Sequence, residues 1–280
     1  MAENLHQTGR WQRPSRLPSR WRESGPVWWA VFSMPVLLFL AIPVLLLFFE
    51  VRPADLWMQL GSEQTRQAVV ISMKTSLISL AIILLLGTPL AYLTGRFQFR
   101  GRAVLETLID LPTVLPPSVA GLALLLAFGR RGLLGAPLND LGLQIAFTQA
   151  AVVGAQVFVA GSLYIRSAAI GFALIDPEIL EASQLDGAST LQQLRHVVLP
   201  LSRYALLSGA VMSWSRALGE FGATILFAGN LPGRTQTMPL AIYLGFESSL
   251  ESAVALSILL VLLSSLALLG VRWLSRGRMD

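Results

Sequence analysis

Six apolar runs separated by short polar connections dominate this chain and constrain its fold more than any other feature. Each run is near the roughly twenty residues that an α-helix needs to cross about 30 Å of hydrocarbon. The runs cover residues 27–49, 69–93, 114–128, 145–165, 201–227 and 253–274. We therefore expect an all-α integral membrane protein with six transmembrane helices.

Composition excludes most other classes of protein. Hydrophobic residues make up 54% of the chain and charged residues 13%, against about 25% charged residues in average soluble domains. The lack of cysteine excludes disulfides and thiolate metal sites, and His6 and His196 are too few for a histidine metal cluster. The single lysine, Lys74, follows Met73, whereas a Walker A loop needs Gly-Lys-Ser or Gly-Lys-Thr. We expect no enzymatic activity, and no nucleotide, metal or cofactor site in this chain.

The N-terminal segment, residues 1–26, holds five arginines together with Pro14 and Pro18 ahead of the first run, which predicts a basic, mobile tail. A secretory signal is the alternative. The run at residues 27–49 is too long for the apolar region of a signal and lacks a clear cleavage site of small residues, which favours a membrane anchor. Pro35 and Pro43 are expected to kink this first helix.

The distribution of basic residues predicts the orientation. If the N-terminus is inside, fourteen basic residues lie on the inner side and six on the outer side, with Arg216 left within a run. Because positive charge is enriched in cytoplasmic connections, an N-in, C-in topology follows. Residues 276–280 then form a cytoplasmic tail, residues 27–275 one transmembrane domain, and the polar connection at residues 176–200 a cytoplasmic segment between helices four and five.

That polar connection has the pattern of two short helices. Asp176-Pro177 predicts a helix start, because the carboxylate can cap free N–H groups and proline needs no donor at the first position. Asp186-Gly187 predicts a bend, and Pro200 is expected to separate the second helix from the next membrane run. An apolar stripe at helical spacing is expected on the second helix, formed by Leu191, Leu194, Val198 and Leu201.

Proline also marks the third run, which is entered through the sequence LPTVLPP at residues 111–117. Clustered prolines fix φ and remove N–H donors, so the third helix should begin sharply after them.

Arg216 and Glu220 lie near the middle of the fifth run, where ionisable side chains are costly unless they face protein or a water-filled cavity. Their i, i+4 spacing would place them on one helical face, where they could pair. One interpretation is a neutralising pair that fixes helix packing. In the other, Arg216 lines a path for an oxyanion, which guanidinium groups bind through several donors, and Glu220 orients it. Gly222 is a further candidate residue of this pathway. Gly209, Gly219 and Gly222 are also expected at positions where helices pack closely together.

Residues 228–240, AGNLPGRTQTMPL, follow the fifth run as an outer loop. Turn formation accounts for its glycines and prolines. Its polar candidates for a role in transport are Arg234, Thr235 and Thr237.

The cytoplasmic segment resembles the EAA loop of permease subunits in ABC importers. The resemblance rests on Glu-Ala-Ser, a glycine four residues after the serine, and a later Leu-Pro, with serine in place of the usual second alanine. It implies that the segment couples this chain to a groove on a separate ATPase subunit. The candidate coupling residues are Glu181, Ala182, Ser183, Asp186, Gly187, Ala188, Leu199 and Pro200.

The stretch RALGEFGATILFAGNLPGRTQTMPLAIYLGFE, which begins at Arg216, is similar to the molybdate-importer branch of the same permease family. Sulfate permeases are similar through RALGEFG and then diverge. The resemblance covers roughly residues 65–275. It implies a multi-pass permease in a bacterial or archaeal cytoplasmic membrane that moves an oxyanion inward. Molybdate is the substrate that the resemblance favours, and tungstate and sulfate are the alternatives.

The resemblance also implies partners. These are two ATP-binding cassette subunits, which carry ATP and magnesium, an external or periplasmic oxyanion-binding protein, and membrane lipid, but no nucleic acid. Since the chain has no internal repeat, a C2 homodimer is expected to complete the pathway, with a different but similar permease as the alternative.

An ion-coupled secondary anion transporter is the rival from another class, and it would need proton or sodium sites near the midplane. Glu220 is the one acidic residue expected there, since Glu106 and Asp110 are placed at the start of the third helix. A membrane enzyme is less favoured still, since no constellation of metal ligands or nucleophiles is present.

Overall fold

A computed structural model describes the backbone of residues 19–50 and 52–276, and the side chains of 28–50, 52, 54 and 56–270. The chain divides into two compact units, residues 1–50 and 51–280. In the first unit, helix α1 (Ser19–Glu50) is continuous through Pro35 and Pro43. Residues 19–26 are therefore helical, whereas the rest of the predicted N-terminal tail and residues 277–280 of the C-terminal tail lie outside the described residues.

The described part of the second unit consists of helices joined by turns and short irregular links. It contains α2 (Pro53–Leu60), α3 (Glu63–Arg96), α4 (Arg102–Val114), α5 (Pro117–Phe128), α6 (Gly135–Asp140), α7 (Gln149–Ala173), α8 (Pro177–Leu185), α9 (Thr190–Gln193), α10 (Leu199–Leu218), α11 (Gly222–Phe227), α12 (Met238–Ser248) and α13 (Leu250–Arg276). Across the described residues of both units, five helices are long and apolar enough to span a membrane, or six if α4 and α5 count as one bent span. The expectation of an all-α membrane protein with about six spans is confirmed.

The third span is broken. Helix α5 begins at Pro117, as the proline cluster predicts, but α4 precedes it and the two axes are bent by 116°. Helix α5 has 12 residues, or about 18 Å of rise, and is too short to cross the hydrocarbon alone. Glu106 and Asp110 therefore lie on α4, a separate helix that continues through Pro112.

The fifth span is also interrupted. We expected one helix over residues 201–227, but α10 ends at Leu218 and Gly219 is its C-cap residue. Helix α11 restarts at Gly222, so Glu220 and Phe221 lie between two helices.

Pro200 does not separate the second short helix from the membrane run, contrary to the prediction. The helical segment is unbroken from Thr190 to Leu218, and a π-helical turn (Leu194–Val198) immediately precedes α10. In an α-helix the proline ring would clash with the carbonyl of residue 196, and the wider π turn relieves this conflict. The predicted apolar stripe is not buried along its length, because Val198 is buried while Leu191 and Leu201 are exposed.

Helix α7 is the centre of the second unit, with α3 and α10 packed along it. Gly209 of α10 allows close approach, because a Cβ there would lie 2.8 Å from the Cβ of Ser167 on α7. The main apolar cluster includes Tyr164 and Phe172 of α7 and Val198 of the π turn. The apolar cluster around α7 therefore also packs against the π turn that leads into α10.

A seam of buried polar side chains runs along α3, which the sequence analysis did not identify. Ser79 donates a hydrogen bond to the side chain of Gln156 on α7 at 2.9 Å, and the indole of Trp214 on α10 donates to Ser76 at 3.0 Å. The spacing of residues 72, 75, 76 and 79 within an apolar run is the sequence signal for one polar face of a helix. Hydrogen bonds of this kind join helices inside a bilayer.

Candidate functional site

The ion pair of Arg216 and Glu220 lies at the break between α10 and α11. The Nη1 atom of Arg216 is 2.8 Å from Oε2 of Glu220, so the predicted pairing is present. Glu220, however, is beyond the end of α10, and the two residues do not share a face of one helix as expected. The backbone N–H of Ala223 in the first turn of α11 donates to Oε1 of Glu220 at 2.8 Å.

The two partners differ sharply in exposure. The side chain of Glu220 is 1% exposed, whereas that of Arg216 is 36% exposed. Both oxygens of the carboxylate are engaged, one by Arg216 and one by the N-terminal turn of α11, where negative charge is favoured. Glu220 is thus fixed, while Arg216 keeps N–H donors that are free to face solvent or a ligand.

Arg216 lines a cavity of about 240 Å³ and is the charged member of its lining. The other lining residues come from α4, from the α4–α5 break, from α5 and from α7. They are Pro112, Thr113, Leu115, Pro117, Ala120, Val159 and Leu163. A guanidinium in a mainly apolar cavity can offer several donors to an anion such as a tetrahedral dianion.

Gly222 contributes to this site through packing. A Cβ at Gly222 would lie 2.5 Å from Cβ of Pro117, a residue of the cavity wall. The nearest atom to a Cβ at Gly219 would be the carbonyl oxygen of Ser215 at 3.7 Å, an ordinary contact. The close-packing prediction is confirmed for Gly222 but not for Gly219.

Residues 176–200 contain the first predicted short helix, α8, whereas the second, α9, is the start of the helical segment that continues into α10. The carboxylate of Asp176 accepts a hydrogen bond from the backbone N–H of Glu178 at 3.0 Å, and Pro177 opens α8. Gly187 has φ +83°, in the left-handed region, and a Cβ there would meet no atom within 4 Å. The backbone conformation therefore requires glycine at this position.

Gln193 of α9 is hydrogen-bonded to α8, and sequence reasoning missed it. Its buried side chain donates hydrogen bonds to the carbonyl of Leu180 and to Oγ of Ser183, each at 2.7 Å. The Ser183 hydroxyl in turn donates to the carbonyl of Leu180 at 2.8 Å. The serine that departs from the family pattern thus belongs to a hydrogen-bonded cluster between α8 and α9.

Two leucines of this segment are strongly exposed. Leu185 and Leu191, on either side of the Gly187 turn, are 89% and 72% exposed. Large apolar side chains exposed together are typical of a surface that another protein covers. The remaining coupling candidates divide into exposed Glu181, Ala182, Asp186 and Pro200, and half-buried Ala188 and Leu199.

The segment that follows α11 has one exposed candidate and two buried ones. Arg234 is exposed, but Thr235 and Thr237 are 0% and 1% exposed. The Thr235 hydroxyl accepts from the backbone N–H of Leu231 at 3.2 Å. Thr237 is the N-cap residue of α12. Thr235 therefore stabilises the loop through its hydroxyl, whereas the Thr237 side chain makes no capping hydrogen bond.

Known proteins with similar sequences cover most of the chain. A family described as the binding-protein-dependent transport system inner membrane component matches residues 87–279. The molybdenum transport system permease protein ModB of Mycobacterium tuberculosis is 41% identical over 248 residues, or 88% of this chain and 93% of that protein. ModB of Escherichia coli is 35% identical over 213 residues, or 75% of this chain and 93% of that protein.

Solved structures agree at the level of the fold. A chain of a bacterial alginate ABC transporter, crystallised with an alginate-bound periplasmic protein, matches with a TM-score of 0.69 over 93% of this chain and 98% of that one, at 18% identity. The broken spans, the helical segment at residues 176–200 and the family match at residues 87–279 lead to one conclusion. The chain belongs to the family of inner membrane components of binding-protein-dependent transport systems.

Proposed function

We propose that this chain is the transmembrane permease subunit of an ATP-driven importer that moves molybdate into the cytoplasm. The permease role follows from the family, and relatives that are 41% and 35% identical are named molybdenum transport permeases. ATP hydrolysis takes place on a separate subunit in this scheme, consistent with the lack of a Walker A sequence.

The position of Arg216 is the observation that supports an anionic substrate. Its partly exposed guanidinium lines a cavity beside the α4–α5 break, while its partner Glu220 is buried. An oxyanion that enters the cavity meets the N–H donors of Arg216, and the Glu220 carboxylate is already bound by Arg216 and Ala223. Gly222 supports this arrangement through its contact with Pro117.

The orientation we propose is N-in and C-in in the cytoplasmic membrane. The excess of arginine on the inner side supports it, with both tails and residues 176–200 facing the cytoplasm. Residues 27–275 form the permease domain, and the segment at 228–240, with Arg234, Thr235 and Thr237, faces the outside.

We further propose that two copies of this chain form a homodimer around one pathway. Each copy binds an ATPase subunit through residues 176–200, and a periplasmic or external binding protein delivers the anion. The exposed Leu185 and Leu191 beside the Gly187 turn are suited to bind the ATPase. Glu181, Ala182, Ser183, Asp186, Ala188, Leu199 and Pro200 complete the coupling surface. ATP and magnesium act on that partner and shift the pathway between its two orientations.

Uptake by proteoliposomes that contain the whole complex tests this function. We expect molybdate uptake that requires internal ATP and persists with an uncoupler. Uptake that stops with the uncoupler but needs no ATP would instead indicate an ion-coupled transporter. Inhibition of labelled molybdate uptake by equal concentrations of unlabelled molybdate, tungstate and sulfate identifies the preferred substrate. Stronger inhibition by sulfate than by unlabelled molybdate would make sulfate the substrate.

A further inference from the structure

Helix α4 is packed less tightly against its neighbours than α5, the other half of the broken third span. None of its residues is buried, and two cavities of about 340 and 120 Å³ lie between it and helices α3 and α7. The α4 residues that line the larger cavity are Leu105, Leu108, Ile109 and Pro112. A helix beside unfilled space can change position without displacing a close-packed core.

Both connections of α4 are short non-helical links. At its N-terminus Gly101 has φ +91°, and a Cβ there would meet no atom within 4 Å. At its C-terminus the chain passes through Leu115 and Pro116 into α5, with a bend of 116°. Links of this kind are where hinge movements occur in proteins.

A two-point ion pair joins α4 to α7. Nε and Nη2 of Arg166 donate to Oδ1 and Oδ2 of Asp110, respectively. The two side chains are 47% and 36% exposed, so the pair is only partly open to solvent. The ion pair of Arg102 with Glu106, in contrast, lies within α4 and does not attach it to a neighbour.

The position of α4 affects the site at Arg216. Pro112 of α4 and Leu115 just after it line the cavity that Arg216 lines. On the other side of the pair, α7 continues from Arg166 to Ala173 and then into α8. The Asp110–Arg166 pair therefore connects α4, which forms part of the wall of the Arg216 cavity, to α7, the helix that leads into residues 176–200.

We propose that Asp110 and Arg166 are positioning residues that hold α4 against α7 and thereby set the width of the cavity at Arg216. Loss of either charge releases α4, which moves about its two links and opens the cavity wall at Leu115. The effect on uptake rests on the proposed transport function. The effect on the cavity can be measured without any substrate.

A single-cysteine reporter tests the inference, since the native chain contains no cysteine. In the full complex with Leu115→Cys, we expect Asp110→Asn and Arg166→Gln each to raise the rate of labelling by a small thiol reagent about fivefold, as loss of a well-aligned pair allows. Uptake should fall in both the Asp110→Asn and the Arg166→Gln variants. The charge swap Asp110→Arg with Arg166→Asp should bring both measurements back toward the parent values.

The matched control is Glu106→Gln, which breaks the pair within α4 and should leave labelling and uptake unchanged. Equal labelling in Asp110→Asn and the parent, an equal rise in Glu106→Gln, or no recovery in the swap would each overturn the proposal. If Arg166→Gln does not assemble, Arg166→Lys keeps the charge without the two-point contact and should give a smaller rise. Failure of molybdate uptake in the parent would count against the proposed function, while the labelling comparison would still decide this inference.

Discussion

Glu220 contacts Arg216 at 2.8 Å, yet the carboxylate is 1% exposed while the guanidinium lines the cavity. The two members of the pair therefore have different roles. The buried acid holds the arginine and the first turn of α11, and the arginine faces the space through which an anion would pass.

Replacing these charges singly and together separates a structural role from a transport role. Arg216→Gln leaves a buried carboxylate without its counterion and should lower stability by about 2 kcal/mol, less than for a fully buried pair. The double variant with Glu220→Gln should regain much of that stability. If Arg216 binds the passing anion, the double variant still transports poorly. Thermal unfolding in detergent and oxyanion uptake at matched amounts are the measurements, and parent uptake in the double variant would eliminate the transport role.

Gly187→Trp should abolish uptake while the protein remains in the membrane. A side chain there is strained because φ is +83°, and it also projects beside the exposed apolar residues that we assign to the ATPase. Gly142→Trp is the matched control, because Gly142 has φ +78° and equally open surroundings but lies between α6 and α7. Equal loss of uptake in both variants would mean that backbone strain alone is responsible, and the coupling role would be withdrawn.

Thiol labelling checks the N-in, C-in orientation. Ser24→Cys and Ser275→Cys should resist an impermeant reagent applied outside intact cells, whereas Pro232→Cys should react. Pro232 is preferable to its neighbour Gly233, because Gly233 has φ +71° and its added Cβ would approach Gln67 at 3.0 Å. Permeabilised cells provide the control, since all three cysteines should then be labelled. The reverse pattern in intact cells would refute the topology.

Gln193→Leu should reduce the uptake obtained per ATP hydrolysed. The substitution removes both hydrogen bonds that join α9 to α8, at a cost of about 1–3 kcal/mol if an acceptor stays unpaired. Ser183→Ala, which restores the alanine of the family pattern, keeps the bond to Leu180 and should have a smaller effect. The ratio of uptake to hydrolysis in the reconstituted complex is the measurement. An unchanged ratio in Gln193→Leu would remove Gln193 from the coupling role.

The sequence predicted those features that depend on composition over many residues. Apolar runs located the long helices, and the local chemistry of Asp176, Pro177 and Gly187 predicted the start of α8 and the turn after it. The pairing of Arg216 with Glu220 was also predictable, because two unpaired charges in an apolar run are costly.

Breaks within apolar runs were not predictable in the same way. Hydropathy is the same whether residues 201–227 form one helix or the helix ends at Gly219, so an apolar run does not locate such a break. Helix α4 was missed because Pro112, taken as a helix boundary, lies within it. The bonds of Gln193 connect residues 10 and 13 positions apart on different helices, and no local pattern reports such contacts.

The unbroken helical segment from Thr190 to Leu218 has a mechanical consequence. Its 29 residues measure about 44 Å, so a tilt of about 5° around the middle would displace each end by about 2 Å. One end adjoins the Gly187 turn, and Arg216 lies two residues before the other. A lever of this kind would convert a push at the turn into a movement of the guanidinium in the opposite direction, without any change in the helix itself.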